Sequence, residues 1–210
     1  MNSRTTPPGP PAAVAGRSEA PLLNIANALT VVRLVLVPVF IWLMLRSGDA
    51  VRLAAALVFA LAAATDRLDG QLARSRNLVT SFGKIADPIA DKALTLSAFV
   101  LLSVAGRLWW WVTVLIIVRE LGITLMRFVM LRRAVMAASR GGKLKTALQV
   151  TGIFGLLVPW AAFVPPAPAT ALDLTAYALV GSALVVTLVT GADYVLEALR
   201  LSRADPGGRP

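Results

Sequence analysis

Thr65-Asp66-Arg67-Leu68-Asp69-Gly70-Gln71-Leu72-Ala73-Arg74 and, after eight intervening residues, Gly83-Lys84-Ile85-Ala86-Asp87-Pro88-Ile89-Ala90-Asp91 place four aspartates in a chain that otherwise reads as membrane-embedded. An ionised Asp near a bilayer centre costs about 2.5–3.5 kcal/mol on insertion scales, and acids found there usually face a wet cavity, a cation or a functional partner. Four of them within 26 residues point to a site.

The composition around this stretch sets the class. Hydrophobic residues make up 57% of the 210-residue chain and charged residues only 15%, well below the roughly 25% charged residues of a soluble domain. A transmembrane helix needs about 20 mainly apolar residues. The chain has room for about six such helices and none for a separate soluble domain. Cysteine and histidine are both absent, which excludes disulfides, thiolate or imidazole metal sites, cysteine nucleophiles and histidine bases. Acid–base chemistry must therefore rest on carboxylates. The net charge of +10 is read as loops facing anionic lipid or substrate, not as a nucleic-acid surface.

Residues 1–20, rich in Pro, Gly, Ala and Ser, read as a disordered cytoplasmic arm without the apolar core of a cleaved signal. Apolar segments follow near 29–46, 51–66, 85–105, 108–131, 147–164 and 171–196. They predict an all-α, six-helix transmembrane domain over 21–199 and a cytoplasmic tail over 200–210. With the N-terminus cytoplasmic, that side collects 14 Lys and Arg residues in arm, loops and tail, against Arg46, Arg52 and Arg107 opposite. This bias places both termini in the cytoplasm of a multi-pass plasma-membrane protein. The 51–66 segment is too short to span unless the helix continues through Asp66 and Asp69 to about Ala73, which puts the acids near the cytoplasmic interface. Trp109, Trp110 and Trp111 read as interface anchors.

Asp66 and Asp69 are three residues apart, Asp87 and Asp91 four, so each pair shares one helical face. Two facing antiparallel helices would gather all four carboxylates. Like charges at that range need a cation to balance them. All-oxygen ligation favours a hard ion, Mg2+ or Mn2+, which shares its shell with phosphate oxygens. The expected substrate is a phosphate or pyrophosphate. Gly70, Ala73 and Gly83 permit close approach of helices or ligand, Arg74 lies one turn after Gly70, and Thr80 offers a hydroxyl. Pro88 removes one helical hydrogen bond.

The spacing Asp66-x2-Asp69-Gly70-x2-Ala73-Arg74-x8-Gly83-x3-Asp87-x3-Asp91 resembles the signature of the CDP-alcohol phosphatidyltransferase family at every defined position. The resemblance implies a six-helix enzyme, usually a homodimer, that displaces CMP from a CDP-linked lipid. It further implies that Asp66, Asp69, Asp87 and Asp91 hold two divalent ions, that Asp91 is also the base, and that Gly70, Ala73, Arg74, Thr80 and Gly83 line the CDP site. The segment Asn27-Ala28-Leu29-Thr30-Val31-Val32-Arg33 is similar to the start of the family's first helix and brings Thr30 to the same site.

A second charged group, Arg119-Glu120, Arg127, Arg140, Lys143 and Lys145, interrupts the fourth apolar segment and its exit. Arg119 and Arg127 fall roughly on one face, and Arg140, Lys143 and Lys145 around Gly141-Gly142 suit a phosphate. An internal Arg119–Glu120 ion pair and positive-inside anchoring are the competing readings. The excess of cations suggests an anionic acceptor held by Arg119, Arg127, Arg140, Lys143 and Lys145. Val118-Arg119-Glu120 and Ala138-Ser139-Arg140-Gly141-Gly142-Lys143 resemble the family branch that pairs CDP-diacylglycerol with sn-glycerol 3-phosphate, giving phosphatidylglycerol phosphate. Inositol phosphate or phosphatidylglycerol as acceptor is the alternative within the family, and a divalent-cation channel or transporter the alternative outside it.

Overall fold

The computed structural model describes the backbone of residues 25–75, 81–130 and 140–204, and the side chains of 25, 28–66, 89–125 and 144–192. Among the described residues there are six α-helices, one short 3-10 turn and no strand: α1 Ile25–Met44, α2 Asp49–Ser75, α3 Ser81–Val104, α4 Trp110–Met130, α5 Arg140–Leu157 and α6 Pro166–Ala204, with the 3-10 turn at Trp160–Ala162.

The helix ends follow from local chemistry. Gly48 has φ +115°, a left-handed conformation that side chains disfavour. Its carbonyl accepts the Arg52 N–H at 3.0 Å, and Asp49 supplies negative charge to the first turn of α2. Helix α3 stops at Gly106, φ +67°. There the Arg107 N–H bonds to the Leu102 carbonyl at 2.9 Å and the Gly106 N–H to the Ser103 carbonyl at 3.0 Å, the paired pattern of a Schellman cap.

Helix α2 runs through Asp66, Asp69 and Ala73, as its length required. Helix α5 departs from expectation: it covers Arg140–Leu157, not 147–164. Pro159 disfavours helical geometry at the residue before it, and Gly141-Gly142 lie in the first helical turn, not in a phosphate-enclosing loop. Helix α6 continues to Ala204, into the segment expected as the tail, because nothing from Leu196 to Ala204 is a helix breaker.

Helices α1 and α2 pair extensively, with the Phe40 and Phe59 rings 5.7 Å apart. Helices α5 and α6 make the other large contact. Gly152 and Gly155 permit it: a Cβ on Gly152 would come within 2.8 Å of Val180 Cγ2, and one on Gly155 within 2.7 Å of Ala176 Cβ. Helix α3 joins the two halves by packing on α1, α2, α4 and α5, while α4 leans on α6.

The surface is far more apolar than that of a water-soluble bundle, and the mainly apolar interior holds several polar side chains. Val31, Val35, Trp42, Leu61, Val118, Leu125 and Val185 face outward, while Thr30, Arg33, Thr65, Thr113, Lys145 and Gln149 are buried. An apolar exterior of this extent suits hydrocarbon. Of the described residues, only Pro166–Ala192 is both long and apolar enough to cross a bilayer on its own, with shorter apolar stretches at Ala28–Met44 and Leu144–Leu157. The others carry most of the polar residues buried in the interior.

Gly152→Val should lower the thermal unfolding midpoint of the detergent-purified protein, by the equivalent of about 1–3 kcal/mol of overpacking. Gly181→Ala, where a Cβ meets nothing within 4 Å, should leave the midpoint unchanged or raise it. Equal midpoints for the two variants would refute the close approach of α5 and α6.

Candidate active site

Two charged clusters converge in the half of the bundle formed by the end of α1 nearest Thr30, the second half of α2 and the first half of α3. Arg33 is the single charge in α1 and is wholly buried. Its Nη1 sits 2.8 Å from Asp66 Oδ1 on α2, whose side chain keeps 40% of its surface exposed. An unpaired guanidinium in such a place would be prohibitively costly. The pair therefore fixes α1 against α2 while leaving a carboxylate at an open surface. Thr30, one turn before Arg33, is also buried, and the Thr65 hydroxyl donates to the Ala62 carbonyl at 2.7 Å.

Asp91 lies half-buried on α3, where its backbone carbonyl accepts the Thr95 hydroxyl at 3.0 Å. Asp66 is near enough to repel its charge, and Arg33, Lys92 and Lys145 are near enough to attract it. Carboxylates from adjacent helices thus lie within electrostatic range of one another. Asp69 and Asp87 lie on α2 and α3, but their side chains are outside the described residues, as are those of Gly70, Ala73, Arg74, Gly83, Arg127, Arg140 and Lys143; Thr80 lies outside altogether. Asp66 and Asp91 alone do not make a set of three ligands, and none occurs among the described residues. The donor chemistry still fits a hard divalent ion: oxygen ligands from two helices, one exposed, with a like-charge repulsion that a cation would relieve.

The second cluster centres on Glu120 of α4. Its Oε1 meets Lys145 Nζ of α5 and, at 3.1 Å, Arg119 Nη1, while Oε2 meets Lys92 Nζ of α3 at 3.0 Å. Three cations share one carboxylate. The formal sum is +2, held in the bundle interior and within electrostatic reach of Asp91. A phosphate dianion would balance it.

Arg119, expected to bind the acceptor, turns most of its donors elsewhere. Its Nε donates to the Thr187 carbonyl at 3.0 Å and its Nη2 to Thr190 Oγ1 at 2.8 Å. A Cβ on Gly191 would lie 3.4 Å from its Cγ. The side chain ties α4 to α6 and holds Glu120 in place. Lys145, also expected to bind the acceptor, sits on the cluster, paired with Glu120. Three residues escaped the sequence-based selection: Arg33, Lys92 and Glu120. Arg33 was detectable as a lone charge in an apolar helix. Lys92 and Glu120 were visible as intramembrane charges, but their pairing joins residues 28 apart in sequence and depends on helix packing.

Compared with known proteins, the chain matches the model of the CDP-alcohol phosphatidyltransferase family over residues 23–192. It is 45% identical over 190 residues to a probable phosphatidylglycerophosphate synthase of Mycobacterium tuberculosis, covering 89% of this chain and 86% of that protein. It is 37% identical to the CDP-diacylglycerol–glycerol-3-phosphate 3-phosphatidyltransferase of Bacillus subtilis, covering 65% and 78%, and 39% identical to the protein of the same name from Escherichia coli K12, covering 64% and 76%.

Glu120→Gln should destabilise the protein by about 3 kcal/mol, because three cations lose their counter-charge. Adding Lys92→Met should restore part of that loss by removing one of the repelling charges. A double-mutant cycle on unfolding midpoints measures the coupling; strictly additive losses would show that the two side chains do not interact.

Proposed function

The chain belongs to the CDP-alcohol phosphatidyltransferase family, and from that premise we propose that it transfers the phosphatidyl group of CDP-diacylglycerol to sn-glycerol 3-phosphate, giving phosphatidylglycerol phosphate and CMP. As a member of that family it is an enzyme. The names of the similar proteins from Bacillus subtilis and Escherichia coli support this acceptor. The structural observation that carries it is the Lys92–Glu120–Lys145 cluster beside Asp91, whose excess positive charge favours an acceptor bearing a phosphate dianion.

The family's chemistry uses a divalent metal. In our reading Asp66, Asp69, Asp87 and Asp91 hold two Mg2+ or Mn2+ ions, which when bound would neutralise the pyrophosphate and the charge developing on the departing CMP. Asp91 takes the proton from the acceptor's primary hydroxyl. The freed oxygen forms a bond to the phosphorus that carries diacylglycerol, and the bond from that phosphorus to the CMP oxygen breaks, its electron pair leaving with CMP. With no histidine or cysteine in the chain, a carboxylate is the base the residue inventory supplies.

Arg33 orients Asp66 and offsets part of the local negative charge. Thr30, Gly70, Ala73, Arg74, Thr80 and Gly83 line the CDP site, with the small residues admitting the nucleotide close to the backbone. Lys145, with Arg140, Lys143 and Arg127, receives the acceptor phosphate. Lys92 joins them, and Arg119 acts from behind by positioning Glu120. The reading extends to six membrane-spanning helices within residues 21–199, arms at 1–20 and 200–210, both termini and the site on the cytoplasmic side of the plasma membrane, and a homodimer.

The test is an assay of purified protein with CDP-diacylglycerol, Mg2+ and each acceptor in turn. CMP release should depend on glycerol 3-phosphate; turnover only with inositol phosphate or phosphatidylglycerol would reassign the acceptor. Metal flux into liposomes without CMP release would instead favour a channel. Asp91→Asn should reduce CMP release by about 10²- to 10⁴-fold with the unfolding midpoint retained. Turnover near that of the unaltered enzyme would remove Asp91 as the base.

A further inference from the structure

At the end of the bundle opposite the aspartates, two guanidiniums, those of Arg52 and Arg107, lie within electrostatic range of each other. Arg52 stands in the first turn of α2 and Arg107 follows the cap of α3. Each is about 20 Å along its helix from Asp66 or Asp91, at 1.5 Å per residue, so neither belongs to the site above. Arg107 is anchored to α6 at two points. Its Nη2 donates to Asp173 Oδ1 of α6 at 2.7 Å, its carbonyl accepts the Tyr177 hydroxyl at 2.7 Å, and the Tyr177 ring packs 5.6 Å from that of Trp109.

Arg52 has no such anchor. Its Nε and Nη2, and Nε of Arg107, are shielded from solvent without a hydrogen-bond partner. The two arginines are close enough to repel each other, with Asp49 and Asp173 in attractive range. Asp173 is already engaged by Arg107, and Asp49 is exposed to solvent at the start of α2. The two guanidiniums against the one engaged carboxylate leave a formal +1.

Buried donors left unbonded are costly, and each such group in a folded protein calls for an explanation. Water would satisfy an N–H but not the repulsion between two cations. An oxyanion answers both, and the guanidinium fork matches phosphate oxygens in pairs. The charge of a phosphodiester, −1, balances the surplus. Trp109, Trp110 and Trp111, each more than half exposed, mark this level as the membrane interface. Lipid phosphates lie at that depth.

We propose that Arg52 and Arg107 form a binding site for the phosphodiester headgroup of an anionic phospholipid, in the leaflet opposite the aspartates. A choline headgroup would bring a third cation to the two arginines and is disfavoured. Arg52 makes no hydrogen bond that binding would have to break, so its side chain can turn onto the phosphate while Arg107 stays fixed.

The experiment is native mass spectrometry of the full-length protein in detergent, titrated separately with dioleoylphosphatidylglycerol, dioleoylphosphatidylcholine and inorganic phosphate. The unaltered protein should hold one more tightly bound phosphatidylglycerol than Arg52→Gln, whose affinity for it should fall about ten- to hundredfold. Arg52→Lys, which keeps the charge but not the fork, should fall between them. Phosphatidylcholine should not discriminate among the three proteins. Equal phosphatidylglycerol binding by all three would overturn the site, and binding of inorganic phosphate without the lipid would overturn its assignment to a headgroup. Unfolding midpoints in lipid-free detergent should be alike, since the Arg52 side chain makes no hydrogen bond; a loss of midpoint in Arg52→Gln matching its loss of lipid would overturn the proposal in favour of a structural role. CMP release, which reports on the opposite end of the bundle, should persist in Arg52→Gln.

Discussion

A charge inside a helix bundle surrounded by hydrocarbon must meet an opposite charge within the same bundle, and the architecture depends on how this is done. Glu120 answers for Lys92, Arg119 and Lys145, which come from α3, α4 and α5. Arg33 answers Asp66 across α1 and α2. Each pairing sets the rotation and the axial register of the helices that contribute to it. A slip by one residue would turn a charge through about 100° and leave it unpaired. The energetic penalty that makes charges rare in membranes here specifies how the helices fit together.

Packing supplies the rest of the rigidity. The glycines of α5 let α6 approach to backbone contact, and Arg119 then reaches across from α4 to the Thr187 carbonyl and Thr190 hydroxyl on α6. Helix α6 becomes the wall against which the polar centre is held. Phe40 and Phe59 do the same for α1 and α2. The base and the phosphate-binding lysines proposed above would gain from such a setting, because the groups are oriented before substrate arrives. The mixed charges of the centre also keep its cations near Asp91 without collapsing onto it: Glu120 holds the two lysines.

Polar chemistry is divided between the two ends of the bundle. One end carries the aspartates and the Glu120 cluster, the other Arg52, Arg107 and Asp173, and the apolar residues between them separate the two by several helical turns. The division follows from cost, since charge is least expensive near the interfaces. It also means that the two ends can be altered separately, because side chains so far apart and without shared partners contribute nearly independently to stability.

The sequence by itself determined the helical class, the helix that had to run beyond Asp66, the location of the acids on two neighbouring helices and, through eight residues at fixed spacing, the family. These are properties of composition, periodicity and local spacing, which are written along the chain. It misjudged α5, where Pro159 and the tolerance of a first helical turn for Gly141-Gly142 shifted the helix towards its N-terminus. It also directed Arg119 to the acceptor. Only the tertiary structure decided that Arg119 ties α4 to α6, that Arg33 balances Asp66, that Lys92 joins Lys145 on one carboxylate and that Arg52 and Arg107 come within electrostatic range. The physical reason is the same in each case: the partner of a buried charge is set by which helix faces meet, and residues 25 to 71 positions apart are brought within hydrogen-bond reach by packing alone.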